Sequence, residues 1–229
     1  MITSSPALRY AKSLHSYNPI PRGCVLYLPL WNQNLSGSVF KSIDSYGHIC
    51  TITGATYGST GRTFDGTDDL ISVANHASLN PADAISLEVW FNATSISAYD
   101  VLAMKADDVS WNPGWGILFF PADNIQFFVE WNTEFATKAF TFATSINEWH
   151  HVVGTYDRTT VNIYVDGVVG TPASREEVID APSSPFEIGR GADNTYNLYG
   201  NIGEVRVYNR ALSQSEVTYI YNQTKWRYS

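Results

Sequence analysis

The chain has 229 residues, 44% of them hydrophobic and 14% aromatic, and its 14 Lys and Arg against 22 Asp and Glu leave a formal net charge of -8. An acidic chain without a basic stripe is a poor partner for nucleic acid or anionic lipid, and no apolar run approaches the ~20 residues that insertion into a membrane requires. The apolar content fills one sizeable core, and all-β sandwiches commonly reach this length as a single domain.

Residues 1–23 (MITSSPALRYAKSLHSYNPIPRG) carry Arg9, Lys12 and prolines where a secretory leader needs an apolar stretch and a small-residue cleavage site, so an N-terminal arm is expected there. The domain itself is predicted over 24–229. A first strand is read at CVLYLPL (Cys24 to Leu30), then a loop-rich excursion to Arg62 punctuated by Gly54, Gly58 and Gly61. Strand-like runs follow at RTFDGTDDLISV (Arg62 to Val73), SLEVWF (Ser86 to Phe91), IQFFVEW and KAFTF. Pro113-Gly114 and Pro182 to Pro185 mark later loops.

In WHHVVGTYD, Trp149, His151, Val153 and Thr155 share one strand face and His150, Val152 and Tyr156 the other, which makes Trp149 a predicted core residue. Val161, Ile163 and Val165 then alternate with Asn162 and Tyr164, and Asp166-Gly167 predicts a type I′ hairpin. After FEIGR (Phe186 to Arg190) and IGEVRVYNRALS (Ile202 to Ser213), Ser213 and Glu216 fit a capping box. Val217, Ile220 and Tyr221 form the apolar side of the short helix it opens. The tail Thr224-Lys225-Trp226-Arg227-Tyr228 has the composition of a docking segment.

These runs, in this order, resemble the laminin G-like jelly roll of the concanavalin A-like lectin/glucanase superfamily. The resemblance implies an all-β, two-sheet antiparallel sandwich with a short C-terminal helix, binding glycans or other extracellular surfaces. It also implies a structural Ca2+ ion, held by a carbonyl near the first strand, the Gly66 carbonyl in Phe64-Asp65-Gly66 and an Asp in the last strand. Gly203 stands where that Asp is usual, so Asp65, Asp68 and Asp69 are the local acidic donors that remain.

Glucanases of this fold carry three acidic residues at alternate positions of one strand. EWNTE places Glu130, Asn132 and Glu134 in that spacing with Asn in the middle, and it reads at least as well as a polar loop. His150 and His151 are adjacent and face opposite sides, while His15, His48 and His76 fall in separate loop-like contexts. No GxSxG elbow, P-loop or CxxC motif occurs, so no enzyme is expected. Cys24 and Cys50 either pair or stay as buried thiols, and buried thiols are favoured.

A glycan site needs an aromatic platform and polar groups for hydroxyls. Two loops offer both: Lys105, Asp107, Asp108, Trp111, Asn112 and Trp115 in the first, and Arg190, Asp193, Asn194, Tyr196 and Tyr199 in the second. Trp111 is the expected platform, whereas Trp115 and Tyr199 read as packing residues. The leading expectation is a non-catalytic carbohydrate-binding or adhesion module at an extracellular or cell surface. Alternatives are a virion or phage component with a lectin-like fold, assembled into the particle or as a homo-oligomer, and a glycoside hydrolase or polysaccharide lyase.

Overall fold

A computed structural model describes residues 21–107, 113–120, 124–131, 134–141, 145–191 and 195–229. Two antiparallel sheets pack face to face, as the alternating runs predict. The nine-stranded sheet has the order β14-β13-β12-β7-β17-β5-β4, with β1 also on β17 and β15 on β13. Its strands are β1 (Cys24–Pro29), β4 (Thr56–Gly58), β5 (Gly61–Asp65), β7 (Ile85–Ala93), β12 (His150–Tyr156), β13 (Thr160–Val165), β14 (Val168–Val169), β15 (Ala173–Ser174) and β17 (Tyr199–Tyr208). The eight-stranded sheet runs β11-β10-β9-β8-β16-β6-β3-β2. It comprises β2 (Val39–Lys41), β3 (Ile49–Thr53), β6 (Leu70–Val73), β8 (Val101–Ala106), β9 (Gly114–Phe120), β10 (Asn124–Trp131), β11 (Glu134–Thr141) and β16 (Phe186–Ile188).

The pleat divides each strand between the core and the outside. In β7, Ile85, Leu87, Val89 and Phe91 enter the core between the sheets, which leaves Ser86, Glu88 and Trp90 on the outer face. Val152 and Tyr156 of β12 and Val205 and Val207 of β17 likewise face inward, opposite Trp115, Ile117, Phe119 and Phe127 of the other sheet. The outer face is covered by α1 (Gln214–Thr224), whose Val217 and Ile220 pack with Leu212 onto Val153, Tyr164 and Tyr208. The helix starts where predicted, with Ser213 and Glu216 exchanging both capping-box bonds, and runs 11 residues. Asp166 and Gly167 turn the predicted hairpin with φ of 51° and 81°, as a type I′ turn requires.

Several expectations need correction. The excursion to Arg62 holds β2, β3 and β4, strands of 3 to 5 residues that are too short for alternation to show. His48 and His76 are neighbours, their rings 5.0 Å apart, because Cys50 pairs with Val73 across β3 and β6. Trp149 precedes β12 and is half-buried outside the core. Both cysteines are free; Cys50 is buried as the favoured reading has it, Cys24 only partly so, and burial pushes each thiol up to about 12.

Candidate functional site

The two loops singled out in the sequence are only partly offered to a ligand. Lys105 lies in the middle of the eight-stranded sheet, fully buried, donating to the Pro182 carbonyl; burial holds its ammonium down at about 8. It is therefore a packing residue, as is Trp115, which stacks on Phe186 at 5.4 Å. Asp107 accepts the Ser184 amide at 2.7 Å and the Ser183 hydroxyl at 3.3 Å, which ties it to the 182–185 loop. Burial opposes its charge, but these hydrogen bonds prevail and lower the carboxyl below its ordinary range.

Asp107 and Glu187 border one small hollow of about 80 Å³. Arg190, with Nη2 3.8 Å from Glu187, belongs to the same end of the sheet. Tyr196 packs edge-on against Tyr99 at 5.3 Å, beside a cluster that includes Val101, Met104, Leu118 and Phe128. Tyr199, expected to pack, is 46% exposed. Asp108, Trp111, Asn112, Asp193 and Asn194 lie outside the described residues.

Glu130 and Glu134 fall on successive strands, β10 and β11, whose hairpin closes at Trp131 opposite Glu134. They lie on different strands, so the three alternate positions of one glucanase strand are not reproduced. Asn132 lies outside the described residues.

Asp65, Asp68 and Asp69 bring carboxylate oxygens within 4.8 Å of one another, a donor set that could hold Ca2+. Part of that set is already used. Asp69 accepts the Asp65 amide at 2.8 Å and Asp65 accepts the Thr67 amide at 2.8 Å, while burial raises the Asp69 carboxyl. Gly66 turns the chain with φ 77°. Gly203 contributes nothing here, since β17 meets Asp65 at Tyr199 and the next residues toward Gly203 pair with Thr63 and Arg62.

The described residues also form a concavity that the sequence reading missed. It is a cleft of about 670 Å³ between the outer face of β7, the turn before β12 and the C-terminal segment. Trp90 is its floor, positioned by strand alternation on the outer face and fixed by an indole N–H to Thr224 Oγ1 bond of 3.0 Å. Tyr228 stacks on Trp90 at 4.4 Å, and Trp149 tilts against Tyr228 at 4.6 Å. Tyr221 lies parallel to Trp90 at 5.9 Å, with the Lys225 ammonium 5.0 Å over its ring. Trp226, 55% exposed, stands at the rim, its indole N–H bound to the Gln223 carbonyl at 2.8 Å. Asn147, Glu148 and Asn222 add exposed polar groups to this lining.

Two polar networks hold the cleft in shape. Beneath it, Arg206 bridges Glu88 at 3.0 Å and Glu204, all three fully buried, and Arg227 reaches Glu204 at 3.4 Å. Burial disfavours the Glu88 charge, but Arg206, His151 and Tyr208 outweigh it and hold the carboxyl down at about 2. At the rim, Asp166 lies 2.8 Å from His150 Nδ1, and His150 Nε2 lies 3.1 Å from Ser145 Oγ, which donates to Glu148. With the Ser145 proton directed at Glu148, Nε2 faces a hydroxyl oxygen and Nδ1 a carboxylate oxygen. This surrounding favours the protonated ring, and the His150 pKa is raised, first by the Asp166 hydrogen bond. In its protonated form the ring has no lone pair with which to serve Ser145 as a general base.

Residues 65–218 match the laminin G-like family model of the concanavalin A-like lectin/glucanases superfamily. The chain belongs to that family. Among solved structures, this laminin G-like protein is similar to domain 4 of AbnA, an extracellular arabinanase from Geobacillus stearothermophilus in complex with arabinotriose. The TM-score is 0.68 at 19% identity, over 86% of this chain and 98% of that one. It is similar to the botulinum neurotoxin serotype D ligand binding domain in complex with N-acetylneuraminic acid, with TM-score 0.70 and 12% identity over 88% of this chain and 51% of the toxin domain. Trypanosoma rangeli sialidase matches with TM-score 0.67 and 17% identity, over 91% of this chain and 34% of the enzyme. The chain thus spans about half of the toxin domain and a third of the sialidase. At these identities the likeness establishes the fold. No curated protein sequence matches the chain significantly.

Proposed function

We propose that this laminin G-like protein is a non-catalytic carbohydrate-binding module for a glycan at an extracellular or cell surface. The aromatic cleft carries the reading. Exposed Trp226 and half-buried Trp149 and Tyr221 present ring faces suited to the C–H faces of sugar rings, backed by buried Trp90 and Tyr228, while Asn147, Glu148, Asn222 and Lys225 offer partners for hydroxyls. Its volume falls in the ordinary range of ligand sites. Similarity to a domain in complex with arabinotriose and to one in complex with N-acetylneuraminic acid supports the same class of ligand.

A binding role without catalysis is supported by where the acids lie. Glu88 and Glu204 are sealed beneath the cleft and neutralised by Arg206, and Glu130 and Glu134 sit on different strands. An extracellular setting is supported by the arabinanase relative alone, and a role in a virus particle draws no support from the fold or the relatives. Among the described residues no helix is long and apolar enough to cross a membrane.

Electrophoresis through gels containing soluble polysaccharides, paired with an assay for released reducing ends, tests the proposal. Retardation by at least one polysaccharide without release of reducing ends is expected. Unaltered mobility across the panel, or steady release, would overturn it.

A further inference from the structure

The two saccharide-bearing relatives leave a choice open, since arabinotriose is neutral and N-acetylneuraminic acid carries a carboxylate. The residues of the cleft decide it. The one side-chain carboxylate among its described lining residues, Glu148, is exposed at the wall, and Oε2 accepts the Ser145 hydroxyl, which leaves Oε1 without a partner among the described residues. A carboxylate oxygen accepts and never donates, so its complement is a hydroxyl, and a second carboxylate brought beside it would be repelled.

The cations around the cleft do not reverse this preference. Arg227, the guanidinium nearest the cleft, is bound to Glu204 at 3.4 Å and stacked over Trp31 at 4.0 Å and Trp226 at 4.8 Å, so its planar fork is not presented for bidentate recognition of an acid. Lys225 lies over the Tyr221 ring, and among the lining side chains its ammonium is matched by the Glu148 carboxylate, so no excess of positive charge favours an acid. Beyond the cleft, the net charge of -8 disfavours approach of a polyanion.

We infer that the cleft takes a neutral saccharide segment and that Glu148, held by the Ser145–His150–Asp166 chain, is the residue that reads its hydroxyls. The inference rests on the carbohydrate-binding reading and adds the ligand class and the specificity residue. Ser145 is a positioning residue: its hydroxyl, supported by His150, holds Glu148 against the turn that opens β12. The rings of Trp149, Tyr221 and Trp226 supply contact area common to any sugar, and Glu148 supplies the choice between neutral and acidic ones.

The test is calorimetric titration of the full chain with neutral arabino-, xylo- and gluco-oligosaccharides and, in parallel, with oligogalacturonate and sialyllactose. A neutral oligosaccharide is expected to bind. Glu148→Gln, isosteric and exposed, should weaken it roughly tenfold, the worth of a hydrogen bond to a charged acceptor, with an unchanged melting temperature. Ser145→Ala should weaken it less, and the two losses should not add, because Ser145 acts only through Glu148. Preferential binding of an acidic oligosaccharide, with affinity that falls in Trp149→Ala, would overturn the ligand class and leave the carbohydrate-binding cleft standing. A neutral ligand indifferent to Glu148→Gln would overturn the role of Glu148. Absence of binding to every saccharide would overturn both this inference and the reading beneath it.

Discussion

The ring of Tyr228 occupies the space that a side chain at position 203 would need: a Cβ placed on Gly203 would come within 2.4 Å of Tyr228 Cε1. In sequence, Gly203 looks like a calcium ligand lost from the last strand. In the structure it is the bulge of β17, between Ile202 paired with Phe91 and Glu204 paired with Trp90, where β17 also hands over from β5 to β1. Absence of a side chain there lets the C-terminal segment lie flat on the sheet and bring Tyr228 onto Trp90.

Gly203→Asp should therefore destabilise the protein by about 1 to 3 kcal/mol through overpacking, without creating a metal site. Thermal unfolding with and without millimolar Ca2+ checks both parts. A variant whose melting temperature rises on adding Ca2+ would show that position 203 still belongs to a cation site.

The wild-type acidic triad gives a companion expectation. Asp69 and Asp65 already accept backbone amides, so chelation of Ca2+ should leave the melting temperature nearly unchanged. A rise of many degrees with millimolar Ca2+ would mean that Asp65, Asp68 and Asp69 recruit further oxygen ligands.

Arg206→Met should cost about 3 to 5 kcal/mol, because it leaves Glu88 and Glu204 buried without their shared counter-charge. The same network sets an acid limit. Glu88 is held below its ordinary range, so its contribution is present above the unfolded carboxyl value and is lost as pH falls toward about 2. Urea titrations at stepwise lower pH should show this loss in the wild type and little further loss in Arg206→Met.

His150 acts with the opposite sign. Its folded pKa is raised, first by the hydrogen bond to Asp166, so its stabilisation is complete below the ordinary imidazole value and declines as pH rises through the folded one. Comparing the melting temperatures of wild type and His150→Gln from pH 5 to 9 should show a gap that narrows with rising pH. A constant gap would place His150 outside the titrating chain.

Local chemistry made much of the fold legible. The capping box and the Asp166-Gly167 hairpin depend on neighbours in sequence, and both are found where the residues put them. Alternation divides β12 into two faces as read, but it is the Val152 and Tyr156 face that enters the core, not the face of Trp149. Lys105 misled because its type suggests a loop, whereas β8 runs through the middle of its sheet and buries it. The cleft was hidden for a different reason. Trp90, Trp149 and Trp226 come from three distant segments, and only the return of α1 over the outer face brings them together. One signal was available: Trp90 shares the parity of Glu88, which places it outside the core between the sheets.

Titration of a bound polysaccharide or oligosaccharide against wild type, Trp149→Ala and Trp226→Ala tests the central claim most directly. An aromatic stacking contact is worth about 1 kcal/mol beyond its buried area, so each truncation should weaken binding by roughly tenfold once the lost contact area is included. Trp226→Ala should hardly move the unfolding midpoint, and half-buried Trp149 should cost well under the roughly 3 to 5 kcal/mol of a core tryptophan. Unchanged affinity in both variants would contradict the account, because sugar would then bind elsewhere on the sandwich.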